Sequence, residues 1–140
     1  MHTVTLPEQH AGKKQGKLTI FASYFSGAGK SYAMLEIAEK VREGGLDVVI
    51  GLLSCEQWHQ TKLLADKFEV LPGKTVIRDG RPDYELDLDA CLKRWPELIL
   101  VDDLSHLNMD DSRHMKRYQD IEELLKAGVD VYTTLNVQHI

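Results

Sequence analysis

Apolar residues recur along this chain in two rhythms. Short, largely apolar runs at 18–22, 47–53, 98–101 and 129–135 have the length of strands buried in a sheet. Between them the apolar positions return every three or four residues, which predicts helices. Met34, Ile37, Ala38 and Val41 share one face of a helix predicted over 30–43, ended by Gly44-Gly45. Leu63 and Leu64 are expected to face inward on a helix over 56–67, and Ile121, Leu124 and Leu125 on one over 118–127 capped by Gly128. A short edge strand is predicted at 74–77, closed by the turn Asp79-Gly80-Arg81-Pro82, and a helix at 87–94 leads into the strand at 98–101. Residues 110–117 read as irregular and charged. Residues 1–16 are polar, contain Pro7 and Gly12, and read as a flexible lead-in to a domain over 17–140. Alternating strands and helices of these lengths predict an α/β fold of three αβα layers around a mainly parallel sheet. Right-handed crossovers then bring the carboxyl ends of the strands to one rim.

Composition narrows the functional classes. The 140 residues are 43% apolar and 28% charged, as in an ordinary globular domain. A formal charge of −5 gives no reason to expect a nucleic-acid partner. No apolar run approaches the roughly 20 residues that cross a bilayer, and no signal-peptide core follows the start, so a cytoplasmic location without membrane contact is expected. Cys55 and Cys91 have no metal-binding spacing and read as free thiols of a reducing compartment. The six histidines match no zinc-site spacing either.

The chemistry concentrates at two strand ends. After the first strand comes Ser26-Gly27-Ala28-Gly29-Lys30-Ser31, a glycine loop opening a helix. In a P-loop (Walker A) the backbone N–H groups of such a loop converge on nucleotide phosphates, with the helix dipole adding positive potential. Gly27, Ala28 and Gly29 would form the cradle, Lys30 would reach the β- and γ-phosphates, and Ser31 would ligate magnesium. The full pattern places a glycine where this chain has Tyr24. The run Leu98-Ile99-Leu100-Val101 ends in Asp102-Asp103, the place of a Walker B acid. Asp102 is expected to hold magnesium with Ser31, and Asp103 to orient or deprotonate a nucleophile as the candidate catalytic base. Paired acids that merely end a strand at the surface are the plainer alternative, and the upstream loop argues against it. His106 and Asn108 follow on the same rim, as γ-phosphate sensors or as partners of loop backbone. Arg113, Lys116 and Arg117 form a basic cluster near it, either a solvated face or an arginine finger. Thr133, Thr134 and Asn136 end the last strand, as strand caps or as contacts to phosphate-bound water. Trp58 and His59 are weaker candidates for covering a base.

The blocks Gly27-Ala28-Gly29-Lys30-Ser31-Tyr32-Ala33-Met34-Leu35-Glu36, Leu100-Val101-Asp102-Asp103-Leu104-Ser105-His106-Leu107-Asn108 and Gly128-Val129-Asp130-Val131-Tyr132-Thr133-Thr134-Leu135-Asn136-Val137-Gln138-His139 carry a resemblance. From about residue 17 to the end, the chain resembles the N-terminal cytoplasmic domain of KdpD-type osmosensitive potassium sensor kinases. The resemblance implies an ATP- and Mg²⁺-binding regulatory module of a two-component system. Its partners would be downstream signalling domains of a sensor kinase anchored in the membrane. It also implies a fragment, since the chain stops at Ile140 within the family's Thr-Thr-Leu-Asn-Val-Gln-His block and holds no histidine-kinase core. Two departures bear on chemistry. Ser54-Cys55-Glu56-Gln57-Trp58 stands where the family carries Glu-Thr-His-Gly-Arg, which weakens the case for catalysis more than for binding. Tyr24-Phe25-Ser26 is bulkier than the family's small residues there. Two other functional classes stay open. One is a P-loop ATPase or protein serine/threonine phosphotransferase; the other is a degenerate P-loop domain that acts only by docking.

Overall fold

A computed structural model describes residues 2–6, 15–23, 29–54, 61–108 and 114–137. Its elements run β1 (His2–Leu6), β2 (Leu18–Ser23), α1 (Gly29–Glu43), β3 (Val48–Leu52), β4 (Glu69–Val70), β5 (Lys74–Arg78) and β6 (Arg81–Glu85). Then come α2 (Leu88–Arg94), β7 (Leu98–Val101), α3 (Arg117–Lys126) and β8 (Asp130–Asn136). Six strands form one sheet in the order β1-β2-β8-β7-β3-β4. All neighbours are parallel except β1, which runs antiparallel to β2. The architecture is the three-layer α/β fold expected from the alternation of elements. One apolar layer packs α1 against the sheet through Phe21, Met34, Leu35, Ile50 and Leu100. The other packs α2 and α3 on the opposite face through Cys91, Ile99, Val101, Ile121 and Leu124. Burial in that second layer pushes the Cys91 thiol up to about 12, so it stays a protonated, inert core group.

Several elements differ from the pattern in the sequence. Residues 2–6, expected within a flexible lead-in, form a strand, because β2 would otherwise present an open edge and Thr3-Val4-Thr5 favours extended backbone. The buried arc of α1 runs through Ser31, Met34, Leu35 and Ala38, while Ile37 is 40% exposed at its margin. The sheet's position sets that arc, and apolarity alone could not choose between Leu35 and Ile37. In the same way Leu63 is 88% exposed, and Thr61, Ala65 and Phe68 face the core instead. The single edge strand expected at 74–77 is half of a separate hairpin, β5–β6, in which Arg81 and Pro82 belong to the second strand and not to the turn. Asp79 and Gly80, both at positive φ, make that turn.

Close packing demands glycine at positions that include 51 and 16. At Gly51 the β3–β7 register shifts, and an added Cβ would lie 2.8 Å from the Ile99 side chain. At Gly16 an added Cβ would lie 1.9 Å from the Val129 carbonyl oxygen. The chain cannot retreat there, since the Gly16 N–H donates to the Leu125 carbonyl at 2.8 Å and the Val131 N–H to the Lys17 carbonyl at 2.9 Å. Gly16→Ala should therefore cost about 2 kcal/mol, roughly 6 °C in thermal midpoint. Lys17→Ala, at an exposed side chain, should stay within about 0.5 kcal/mol. Thermal melts of both variants check the pair.

Candidate functional site

The carboxyl end of β7 is the centre of the polar rim. Asp102 is 3% exposed and accepts hydrogen bonds from three elements. The Ser31 hydroxyl at the start of α1 donates to its Oδ1 at 3.0 Å, and the Thr134 hydroxyl of β8 donates to the same oxygen at 2.6 Å. The Ser54 N–H, just past β3, donates to Oδ2 at 3.2 Å. One strand, β8, stands between the strand before the glycine loop and the strand carrying the acid. Helix α1 leans over that gap, so Ser31 and Asp102 meet although 71 residues separate them. The first turn of α1 carries no acid, whereas those of α2 and α3 hold Asp89 and Asp120. Its N-terminal potential is thus left uncompensated from within the helix.

Asp103 turns the chain with φ 63°, a left-handed backbone that costs a non-glycine residue energy. Its neighbours hold it there. The Asp103 N–H donates to Thr134 Oγ1 at 2.9 Å, and the Leu104 N–H donates to the Thr134 carbonyl at 2.9 Å. Arg117 Nη1 donates to the Asp102 carbonyl at 2.9 Å and approaches that of Asp103 at 3.4 Å. The Asp103 carboxylate, half-buried, accepts from the Ser105 hydroxyl at 3.1 Å. Beside it opens a cavity of about 260 Å³ whose lining includes Ser54, Asp83, Tyr84, Asp103, His106 and Arg117.

Behind the rim lies a buried charge cluster on Glu85 of β6. Its Oε1 accepts from Arg78 Nη2 at 2.7 Å. Its Oε2 accepts from His106 Nε2 at 2.9 Å and from Arg117 Nη2 at 3.2 Å. Burial, with Arg117 and Arg78 nearby, holds the His106 imidazole below its usual range, and only Glu85 and Asp103 oppose this. The short contact assigns the ring proton to Nε2. Burial likewise pulls the Arg117 guanidinium down, opposed first by Glu85.

The candidates from the sequence therefore separate. Ser31, Asp102 and Asp103 come together, and Gly29 and Lys30 stand at the start of α1 beside them. A Cβ on Gly29 would meet nothing within 4 Å among the described residues, and its φ is not positive. Asn136 is buried at the end of β8, in register with Ser23. His106 is turned to Glu85. The Asn108 amide is spent within the chain, donating to the His114 carbonyl at 2.9 Å and to Asp120 at 2.8 Å. Thr133 faces the α3 layer, wholly buried, so Thr134 is the threonine of the rim. Arg117 is no solvated cation or free finger, being 3% exposed and bound on both sides. Gly27, Ala28 and Arg113 lie outside the described residues, as do Cys55, Trp58 and His59. No motif in the sequence alone distinguishes Glu85, because one acid in a charged stretch reads as solvated. Strand alternation was the available signal, since it puts Val76, Asp83 and Glu85 on the less exposed face.

Among the described residues no three His, Cys, Asp or Glu side chains cluster to hold a metal. A cation here would take one or two protein oxygens and complete its shell with phosphate and water, which is how magnesium is usually held. Ser31 and Asp102 supply that donor set. Among the described residues no helix is long and apolar enough to cross a membrane.

Comparison with known proteins identifies relatives. The family model described as KdpD, osmosensitive K⁺ channel His kinase sensor domain, matches residues 14–140. The chain is 48% identical over 135 residues to sensor protein KdpD of Escherichia coli (strain K12), covering 96% of this chain and 15% of that protein. It is 46% identical over 135 residues to sensor protein KdpD of Clostridium acetobutylicum, with the same coverage of each. With the putative sensor protein KdpD of Synechocystis sp. it shares 44% identity over 127 residues, 91% of this chain and 34% of that protein. The chain thus spans between about a seventh and a third of the length of these relatives.

The lowered pKa of His106 sets a pH dependence. In the unfolded chain the imidazole takes up its proton near pH 6.5, while the folded protein resists it until lower pH. Stability should therefore fall as pH drops from about 7 through 6. Asp120, whose carboxyl burial raises, acts in the opposite sense nearer its own range. Urea midpoints between about pH 7.5 and 5.5 should show this slope in the parent and a shallower one in His106→Gln.

Proposed function

The chain belongs to the KdpD sensor-domain family, and within it we propose that this domain binds ATP·Mg²⁺ and acts as a regulatory module of potassium or osmotic signalling. One observation carries this reading: the buried contact of Ser31 with Asp102 at 3.0 Å, formed where a helix preceded by glycines begins beside a strand-ending acid. Neither side chain gains from that placement by packing apolar surface. Each is an oxygen donor of the kind magnesium prefers. Bound magnesium would neutralise phosphate charge, with Ser31 and Asp102 holding it and Lys30 adding a cation toward the phosphates. The backbone N–H groups at the start of α1 would face the same anion. The bound state would then favour one arrangement of the segments after β3 and β7, and that difference is what neighbouring domains of the sensor kinase would read.

The half-buried Asp103 beside the 260 Å³ cavity favours a second reading, in which Asp103 serves as base for slow hydrolysis or transfer to a hydroxyl. Calorimetric titration with ATP·Mg²⁺ separates the two when followed by an overnight phosphate-release assay. Saturable binding is expected in the parent, weakened at least about tenfold in Lys30→Ala by loss of a charge-assisted contact. Binding with no phosphate released supports the regulatory module. Release that depends on Lys30 and Asp103 supports the enzyme, and absence of binding at millimolar nucleotide overturns both.

A further inference from the structure

Hairpin β5–β6 lies outside the main sheet, yet one of its side chains is among the most buried charged groups of the molecule. Glu85 is 3% exposed, and both its oxygens are engaged. Its partner Arg117, also 3% exposed, spans from the hairpin to the backbone of the acid itself, with the Asp102 carbonyl at 2.9 Å. The 102–103 peptide is therefore gripped from two sides. Arg117 holds its carbonyl oxygen. Thr134 Oγ1 holds the Asp103 N–H at 2.9 Å and the Asp102 carboxylate at 2.6 Å. The next residue is in the left-handed conformation at φ 63°, a state that persists only while its surroundings enforce it.

We propose that Arg117 is a positioning residue for Asp102, and that its anchor Glu85 couples hairpin β5–β6 to the acid in both directions. The strained Asp103 backbone is the two-state element. With Arg117 seated on Glu85 the turn is held and the Asp102 carboxylate faces Ser31. When either side lets go, the turn relaxes toward ordinary backbone and the carboxylate loses its register. A force on the hairpin therefore reaches the acid, and a change at the acid reaches the hairpin. The chain of contacts has three links: Thr134 to Asp102, Asp102 and Asp103 to Arg117, and Arg117 to Glu85. His106 adds a parallel strut, because its ring Nε2 meets Glu85 while its backbone N–H donates to the Asp103 carbonyl at 3.3 Å. This coupling stands on geometry alone; only its effect on nucleotide affinity rests on the reading proposed above.

The test uses two near-isosteric variants and two readouts. Amide hydrogen exchange reports the coupling without any ligand. Thr134→Val, altered at the rim, should speed exchange about tenfold not only at 102–106 but also across the hairpin at 74–85, with α2 unchanged. Glu85→Gln, altered in the hairpin, should speed exchange at 102–106. A change in Thr134→Val that stops at the rim and never reaches the hairpin overturns the proposal. Calorimetry adds the functional arm. Glu85→Gln should weaken ATP·Mg²⁺ about tenfold while leaving ATP in EDTA unchanged, because only the cation engages Asp102. Equal weakening of both ligands marks general loosening and overturns the positioning role. A parent that binds neither ligand overturns the nucleotide reading instead, and the exchange experiment then decides the coupling by itself. Arg78→Met, which removes one of the donors that seat Glu85, replaces Glu85→Gln if that variant does not fold.

Discussion

A buried carboxylate tolerates removal from water only when its oxygens are given other donors, and that requirement organises this domain around Asp102. Its donors come from α1, from β8 and from the end of β3, three elements with no contact in sequence. Each must therefore arrive at the β7 terminus in one register. The β bulge at Gly51 is part of this fit, since it shifts the end of β3 just before Leu53 and Ser54. The helix start with Gly29, Lys30 and Ser31 is placed by the same requirement. The nucleotide site proposed above would thus inherit its geometry from a packing constraint within the chain itself.

The two ends of the sheet are built differently. At the amino ends, Arg94 ties Asp47 at 2.7 Å and Glu69 at 2.8 Å, an ion-paired clamp that joins α2 to the edge of the sheet. Its guanidinium holds both carboxyls below their ordinary range. This clamp is partly exposed, and α2 ends beside it with Trp95 in the left-handed conformation at φ 49°. At the carboxyl ends the charges are buried, the backbone at Asp103 is left-handed, and Arg117 and Thr134 share the task of holding it. The buried charges of Asp102, Glu85 and Arg117 thus gather at the rim where a ligand's charge would act, while a partly exposed clamp ties the opposite end.

Much of this was legible from residue order. The alternation of apolar runs with helical periods is a local property, so the α/β layers, the principal strands and the meeting of Ser31 with the strand-ending Asp102 could be read directly. Asp102 and Ser31 were readable because each sits at a fixed offset from a recognisable element. Ile37 and Leu63 were misplaced for a complementary reason. Which part of an apolar helix is buried depends on where the sheet lies, and two neighbouring aliphatic residues are equivalent until the sheet is present. The strand at 2–6 and the hairpin at 74–85 likewise follow from edges and neighbours that only exist after folding.

The functions of single polar side chains divide along the same line. Spacing along the chain determines that Gly29, Lys30 and Ser31 open a helix and that Asp102 ends a strand, since both follow from backbone periodicity within a few residues. It cannot determine that Thr134 and not Thr133 meets the acid, that Asn108 is consumed by Asp120, or that Glu85 and Arg117 lie buried against each other 32 residues apart. Those assignments depend on which face of a strand turns toward which layer and on the loss of water around charges. Both are properties of the assembled layers and of no segment taken alone.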